Sequence, residues 1–208
     1  MGPASAWGVV ASLCLFAAFR SRPLPHGLLG GLGLVAAAAC LAVGVIRAGK
    51  GGLPVFALAR PRRPAVAWIL ACVAVGAALA VAYRLRADLA PWPSTLGWFV
   101  LPAATIGATE ELVYRGFVQT GLRGSGRISA VIFAAAGHTA YKHLVFVGRP
   151  ETVTTELGFL AVVTFLVGTL LGAVREGSNS LWPSLLGHAA FDIVMYGALS
   201  AAPWWVWG

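Results

Sequence analysis

From Leu96 to Ala108 the chain carries no charge, and apolar runs of this kind recur along its length. Nothing constrains the fold more. In hydrocarbon every backbone N–H and C=O must be satisfied internally, so only helices or a closed barrel cross a bilayer. Barrel strands alternate apolar and polar residues. These runs show no such alternation and therefore predict helices. Composition agrees, with 59% of the 208 residues hydrophobic and 11% charged, against about 25% charged in a soluble domain. Abundant Ala and Gly suit helices that pack closely in lipid. The expectation is an all-α fold, a polytopic transmembrane helical bundle.

A crossing helix needs about 20 apolar residues. About seven stretches qualify, near Ala4–Phe19, Gly27–Ile46, Ala65–Tyr83, Leu96–Gln119, Ile128–Val147, Thr155–Val174 and Leu181–Ser200. The loops between them are short, and the longest, Arg47 to Pro64, leaves no room for a second soluble domain. Residues 1–208 therefore read as a single integral membrane domain. The N-terminus lacks a basic first region and a small-residue cleavage site, so its first segment is expected to be a retained span. Even-numbered loops hold eight basic residues against five in the odd-numbered ones, which predicts the N-terminus inside and the C-terminus outside. The tail Pro203–Trp207 is too short to cross and reads as an interfacial anchor.

The net charge of +8 comes from basic residues between the apolar runs, in no stripe or arm. That distribution predicts loop arginines touching anionic headgroups and no nucleic-acid partner. Cys14, Cys40 and Cys72 lie within apolar segments, an odd count without paired spacing, so neither a disulfide framework nor a metal knuckle is expected.

Against this background the ionisable residues within the spans stand out. A charge at membrane depth costs about 2.5–3.5 kcal/mol on insertion scales and usually marks function. The chain has seven acidic residues, and three of them, Glu110, Glu111 and Asp192, fall in apolar stretches. His138 and His143 lie in the fifth stretch, and His188 in the seventh. Glu110, His138 and His188 are expected at similar depth around one polar cavity. Glu111 and Arg115 are one helical turn apart with the acid first, which suits a neutralising pair. Glu110 is rotated by about 100° from its neighbour and is left to do something else. His188 and Asp192 share a face by the same spacing, so the carboxyl is placed to orient the imidazole.

A glutamate and a histidine converging on one water supply a general base and a positioner. A second histidine backed by Asp192 supplies a donor to a carbonyl oxyanion. Together they describe amide hydrolysis without a protein nucleophile. The same Glu and two His side chains also suit zinc, which lowers the pKa of bound water to about 7. A proton-coupled transporter or a non-enzymatic scaffold would also bury such groups, though transporters more often show paired repeats and broken helices. Pro102 has no matching break in another half. His-Glu-x-x-His, Gly-x-Ser-Gly and Gly-x-Gly-Asp patterns are absent.

Glu110-Glu111-x-x-x-Arg115-Gly116-Phe117 resembles the first motif of the CPBP group, the CAAX-protease and bacteriocin-processing intramembrane proteases. His188-x-x-x-Asp192, preceded by Ser180-Leu181-Trp182-Pro183, resembles its last motif, in which Asn commonly holds the second position. The middle motif is usually Phe-x-x-x-His. Here Phe133 stands five residues before His138, which is the natural candidate, with His143 second. The resemblance covers Leu96 to Tyr196, the expected catalytic core. It implies a glutamic-type intramembrane endopeptidase needing no cofactor, in which Glu110 and His138 activate water, His188 and Asp192 stabilise the oxyanion, and Glu111 and Arg115 support the architecture. The implied partners are the bilayer and a membrane-anchored or C-terminal-tail protein, as in myxosortase-type sorting. An Ala/Arg/Gly-rich chain of this kind implies a multi-pass protein of the bacterial inner membrane.

Overall fold

The computed structural model describes residues 2–19, 26–48, 63–147 and 157–198, and every regular element among them is helical. These are α1 (Pro3–Phe19), α2 (His26–Ala48), α3 (Arg63–Arg86), α4 (Val100–Glu111), α5 (Gln119–Leu122), α6 (Arg127–Val147), α7 (Leu157–Ser178) and α8 (Trp182–Tyr196). A π-helical segment, Leu112–Val118, joins α4 to α5 without a loop, and a short 3-10 turn, Arg123–Ser125, follows. The all-α class is as expected. The Trp-rich tail and most of the loop from Arg47 to Pro64 lie outside the described residues.

About seven spans is somewhat more than the described residues show. Among the described residues four helices are long and apolar enough to cross: Leu28–Ile46, Val66–Arg86, Arg127–Val147 and Leu157–Ser178. Two of the other apolar helices are shorter among the described residues. The 17 residues of α1 rise about 26 Å and the 15 of α8 about 22 Å, both under the ~30 Å hydrocarbon core. The α-helix through Pro102 changes to π geometry after 12 residues and continues as helix to Leu122.

Two compact units emerge, interleaved in sequence. One holds α1, α2, the chain from Tyr114 through α6, and α7 as far as Ala173. The other holds α3, α4 to Val113, and the chain from Val174 through α8.

In the first unit glycines set the helix crossings. A Cβ on Gly33 of α2 would meet the backbone of α1 at Phe16 N (2.6 Å) and Ser12 O (2.7 Å). Gly8 of α1 takes the Cys40 thiol in the same way, at 2.9 Å. Gly137 of α6 seats Val10 of α1 at 3.1 Å. Lipid offers no hydrophobic drive for helix pairing, so close backbone approach through small residues replaces it. Leu28, Leu32, Val35 and Ile46 of α2 remain exposed, as a lipid-facing stripe would be.

In the second unit α3 and α8 cross at Gly76 and Gly187. A Cβ on Gly76 would run into the carbonyl oxygen of Gly187, and one on Gly187 would lie 2.9 Å from Cys72 Cβ and its carbonyl oxygen. The helix α8 starts with Pro183 in its first turn, where a missing N–H costs nothing. Its far end is closed by Arg84 of α3, a buried side chain. Arg84 Nη1 donates to Met195 O at 3.0 Å and Val194 O at 3.4 Å, while Nε donates to Ala90 O at 2.7 Å. A guanidinium on C-terminal carbonyls satisfies orphan acceptors and complements the helix dipole. Two further restraints fix the neighbouring turns. Gly97 N donates to Gly197 O at 2.8 Å. Asn179, at φ 49°, takes the left-handed conformation that ends α7.

Candidate active site

The last turn of α4 and the middle of α8 bring four ionisable side chains together. Glu110 and Glu111 end α4, 7% and 0% exposed, so each carboxylate depends on protein partners rather than solvent. His188 and Asp192 project from α8. His188 Nδ1 lies 2.9 Å from Glu111 Oε1, a hydrogen bond in which the ring nitrogen donates to the carboxylate. On the other side of the ring, His188 Nε2 is 3.8 Å from Glu110 Oε2 and 3.9 Å from Asp192 Oδ2. Those separations are ion-pair distances, past the range of a direct hydrogen bond. One imidazole is thus surrounded by three carboxylates from two helices.

Gly107, one turn before Glu111, makes this gathering possible. A Cβ there would collide with Asp192 Oδ2 and come within 2.9 Å of His188 Cδ2. Any larger residue would push the α8 side chains away from α4. Near Gly187, the α3–α8 crossing holds the adjacent His188 backbone in place from the opposite side.

His188 and Asp192 lie one turn apart on the same face of α8. The shortest contact of the imidazole is nevertheless with Glu111 on another helix. Sequence spacing sees only partners on the same helix, and it assigned Glu111 to Arg115. Between those two residues the α-helix gives way to the π-helix. π-Helical turns inside α-helices are rare and frequent at functional sites.

Arg115 and His138 belong to the other compact unit. Both are buried, and Arg115 Nη1 meets His138 Nδ1 at 3.0 Å. The Tyr114 ring lies on the His138 ring, with centroids 4.5 Å apart and planes 30° from parallel. Gly168 of α7 makes room for the guanidinium, since a Cβ there would sit 2.7 Å from Arg115 Nη2. One turn later Gly172 O accepts from Gln119 Nε2 at 3.1 Å. His143, the second choice for the middle histidine, is only half-buried. Phe133 is 45% exposed and stacks edge-on against Trp7 at 5.6 Å, which gives it a packing role in α1–α6 contact.

Sequence reasoning missed Gly107, Gly168, Tyr114 and the buried Gln119. The glycines left one faint signal. Gly107 precedes Glu110 by three residues, and Gly168 and Gly172 are four apart, so each marks a helix face open to close approach.

The model of one protein family, the type II CAAX prenyl endopeptidase Rce1-like family, matches residues 91–194. That is half of the chain and contains Glu110, Glu111, Arg115, His138, His188 and Asp192. The chain belongs to the Rce1-like family. No curated protein and no solved structure matches it. As a member of the Rce1-like family the chain is a membrane peptidase acting on protein or peptide substrates, the class expected from its motifs. Among the described residues no group of three or more His, Cys, Asp or Glu is arranged to hold a metal ion.

Proposed function

We propose that this Rce1-like protein is a glutamic-type intramembrane endopeptidase with Glu110 as its general base. The observation that carries the reading is the buried Glu110 carboxylate, 3.8 Å from a histidine whose other nitrogen is already committed to Glu111. Glu110 takes a proton from water as the water oxygen bonds to the scissile carbonyl carbon. Its partner toward that water is His138, carried over from the family's middle motif. The carbonyl π electrons move onto oxygen, and His188 donates to the oxyanion through Nε2–H while Nδ1–H stays on Glu111. The doubly protonated ring this requires has the carboxylates of Glu111 and Asp192 beside it to balance its charge. Collapse of the tetrahedral species breaks the C–N bond, and Glu110 returns its proton to the leaving amine. Asp192 acts by orienting His188, and Glu111 and Arg115 hold the two histidines. Preorganised donors aimed at such an oxyanion are worth about 10²–10³ in rate each.

No step runs through a metal. The substrate class is a protein held at the bilayer by a C-terminal tail or anchor, cut for sorting at a bacterial inner membrane. The deciding experiment is Glu110→Gln in protein reconstituted with a C-terminally anchored reporter. Cleavage is expected to vanish while insertion and thermal stability are retained. Turnover at the wild-type rate would end the general-base assignment.

A further inference from the structure

We infer that His138 works as a neutral ring with its only proton on Nε2, a hydrogen-bond donor that cannot act as a base, and that Arg115 is the positioning residue that sets this tautomer. A guanidinium has five N–H donors and no acceptor. The 3.0 Å contact between Arg115 Nη1 and His138 Nδ1 therefore requires a lone pair on Nδ1. A doubly protonated imidazole has no lone pair, and the Nδ1–H tautomer would point hydrogen at hydrogen. Only the Nε2–H tautomer fits.

The surroundings hold this arrangement in place. The guanidinium is seated over Gly168, where a Cβ would come within 2.7 Å of Nη2. The Tyr114 ring covers the face of the imidazole. Burial of both partners removes water as a competing donor or acceptor. The arrangement is the reverse of His188, whose Nδ1 donates to Glu111. The two histidines are thus held through the same nitrogen, Nδ1, in opposite roles, one accepting from a cation that only donates and one donating to an anion that only accepts.

For the reaction the consequence rests on the peptidase reading above. With Nδ1 occupied and Nε2 protonated, His138 offers a hydrogen bond to the water or to the carbonyl oxygen and takes no proton. The water proton passes to Glu110 alone, the new O–C bond forms, the carbonyl electrons shift to oxygen, and the Nε2–H proton stays on His138 throughout.

The test is direct. Full-length protein labelled with ¹⁵N-histidine in lipid nanodiscs is examined by two-bond ¹H–¹⁵N correlation, which distinguishes the two tautomers and the doubly protonated ring. The His138 signal is assigned by its loss in His138→Gln, or by elimination with single variants at the other histidines if that protein does not fold. A single Nε2–H form is expected at neutral pH. An Nδ1–H form, or a ring protonated at both nitrogens, overturns the inference. Arg115→Gln keeps an N–H donor and should keep the tautomer, whereas Arg115→Met should release a mixture. Gly168→Ala should do the same by displacing the far end of the Arg115 side chain while removing no functional group. A tautomer unmoved by both Arg115→Met and Gly168→Ala also overturns the positioning role. Since the spectrum is read without substrate, failure here and failure of the Glu110 assignment are separate outcomes.

Discussion

Gly76→Ala should loosen the crossing on which the His188 helix rests. The added methyl would occupy the position of the Gly187 carbonyl oxygen. That obstacle is backbone, so no rotamer change relieves it, and α3 and α8 must separate or shift along each other. Overpacking of a tight contact costs about 1–3 kcal/mol. At roughly 2–4 °C per kcal/mol for a chain of this length, the midpoint of thermal unfolding should fall by about 2–12 °C. Gly31→Ala is the control, because a Cβ there meets nothing within 4 Å. It should leave stability unchanged or raise it by up to about 1 kcal/mol through helix propensity. Thermal unfolding in detergent micelles measures both variants. A second readout is local: Cys72 is buried at the same crossing, so with Cys14 and Cys40 replaced, its rate of thiol labelling should rise in Gly76→Ala. If Gly76→Ala unfolds with wild-type behaviour and Cys72 stays protected, the close crossing is wrong, and with it the account of how the His188 backbone is fixed.

Gly107→Ala meets side-chain atoms instead of backbone, namely Asp192 Oδ2 and His188 Cδ2. It should therefore cost little stability but displace both groups, and a misplacement of about 1 Å is worth about 10²-fold in rate; full cleavage activity of the reconstituted variant would contradict the site geometry. Arg84→Met removes the donor to Met195 O and Val194 O, and at about 1.5–3 kcal/mol for a charged hydrogen bond it should lower the unfolding midpoint and speed hydrogen exchange in the last turn of α8. An unfolding midpoint equal to wild type would show that the cap contributes nothing. Exhaustive chelation should leave reporter cleavage intact, whereas loss of activity restored by zinc would support the metal-dependent form of the enzyme.

Much of this was legible in the sequence, and the part that was not shares one cause. Uncharged runs announced the helices because hydrocarbon permits little else, and motif spacing singled out Glu110, Glu111, His188 and Asp192, which the structure brings around one imidazole. Hydropathy counts apolar residues and does not see a helix that changes from α to π geometry after Glu111. Periodicity describes one helix at a time, whereas Glu111 and Arg115 each also reach a histidine on another helix. What decides those contacts is where helix backbones come close, and in this chain that is written in single glycines: Gly76 and Gly187 at one crossing, Gly107 beneath Asp192, Gly168 beneath the guanidinium. In a sequence with 26 glycines no spacing rule picks out these four. Physical reasoning can do so only once the helices are placed, since an absent side chain acts through whatever neighbour fills its space. The motif therefore names the ionisable groups, and single glycines outside it decide how closely the helices that carry them approach.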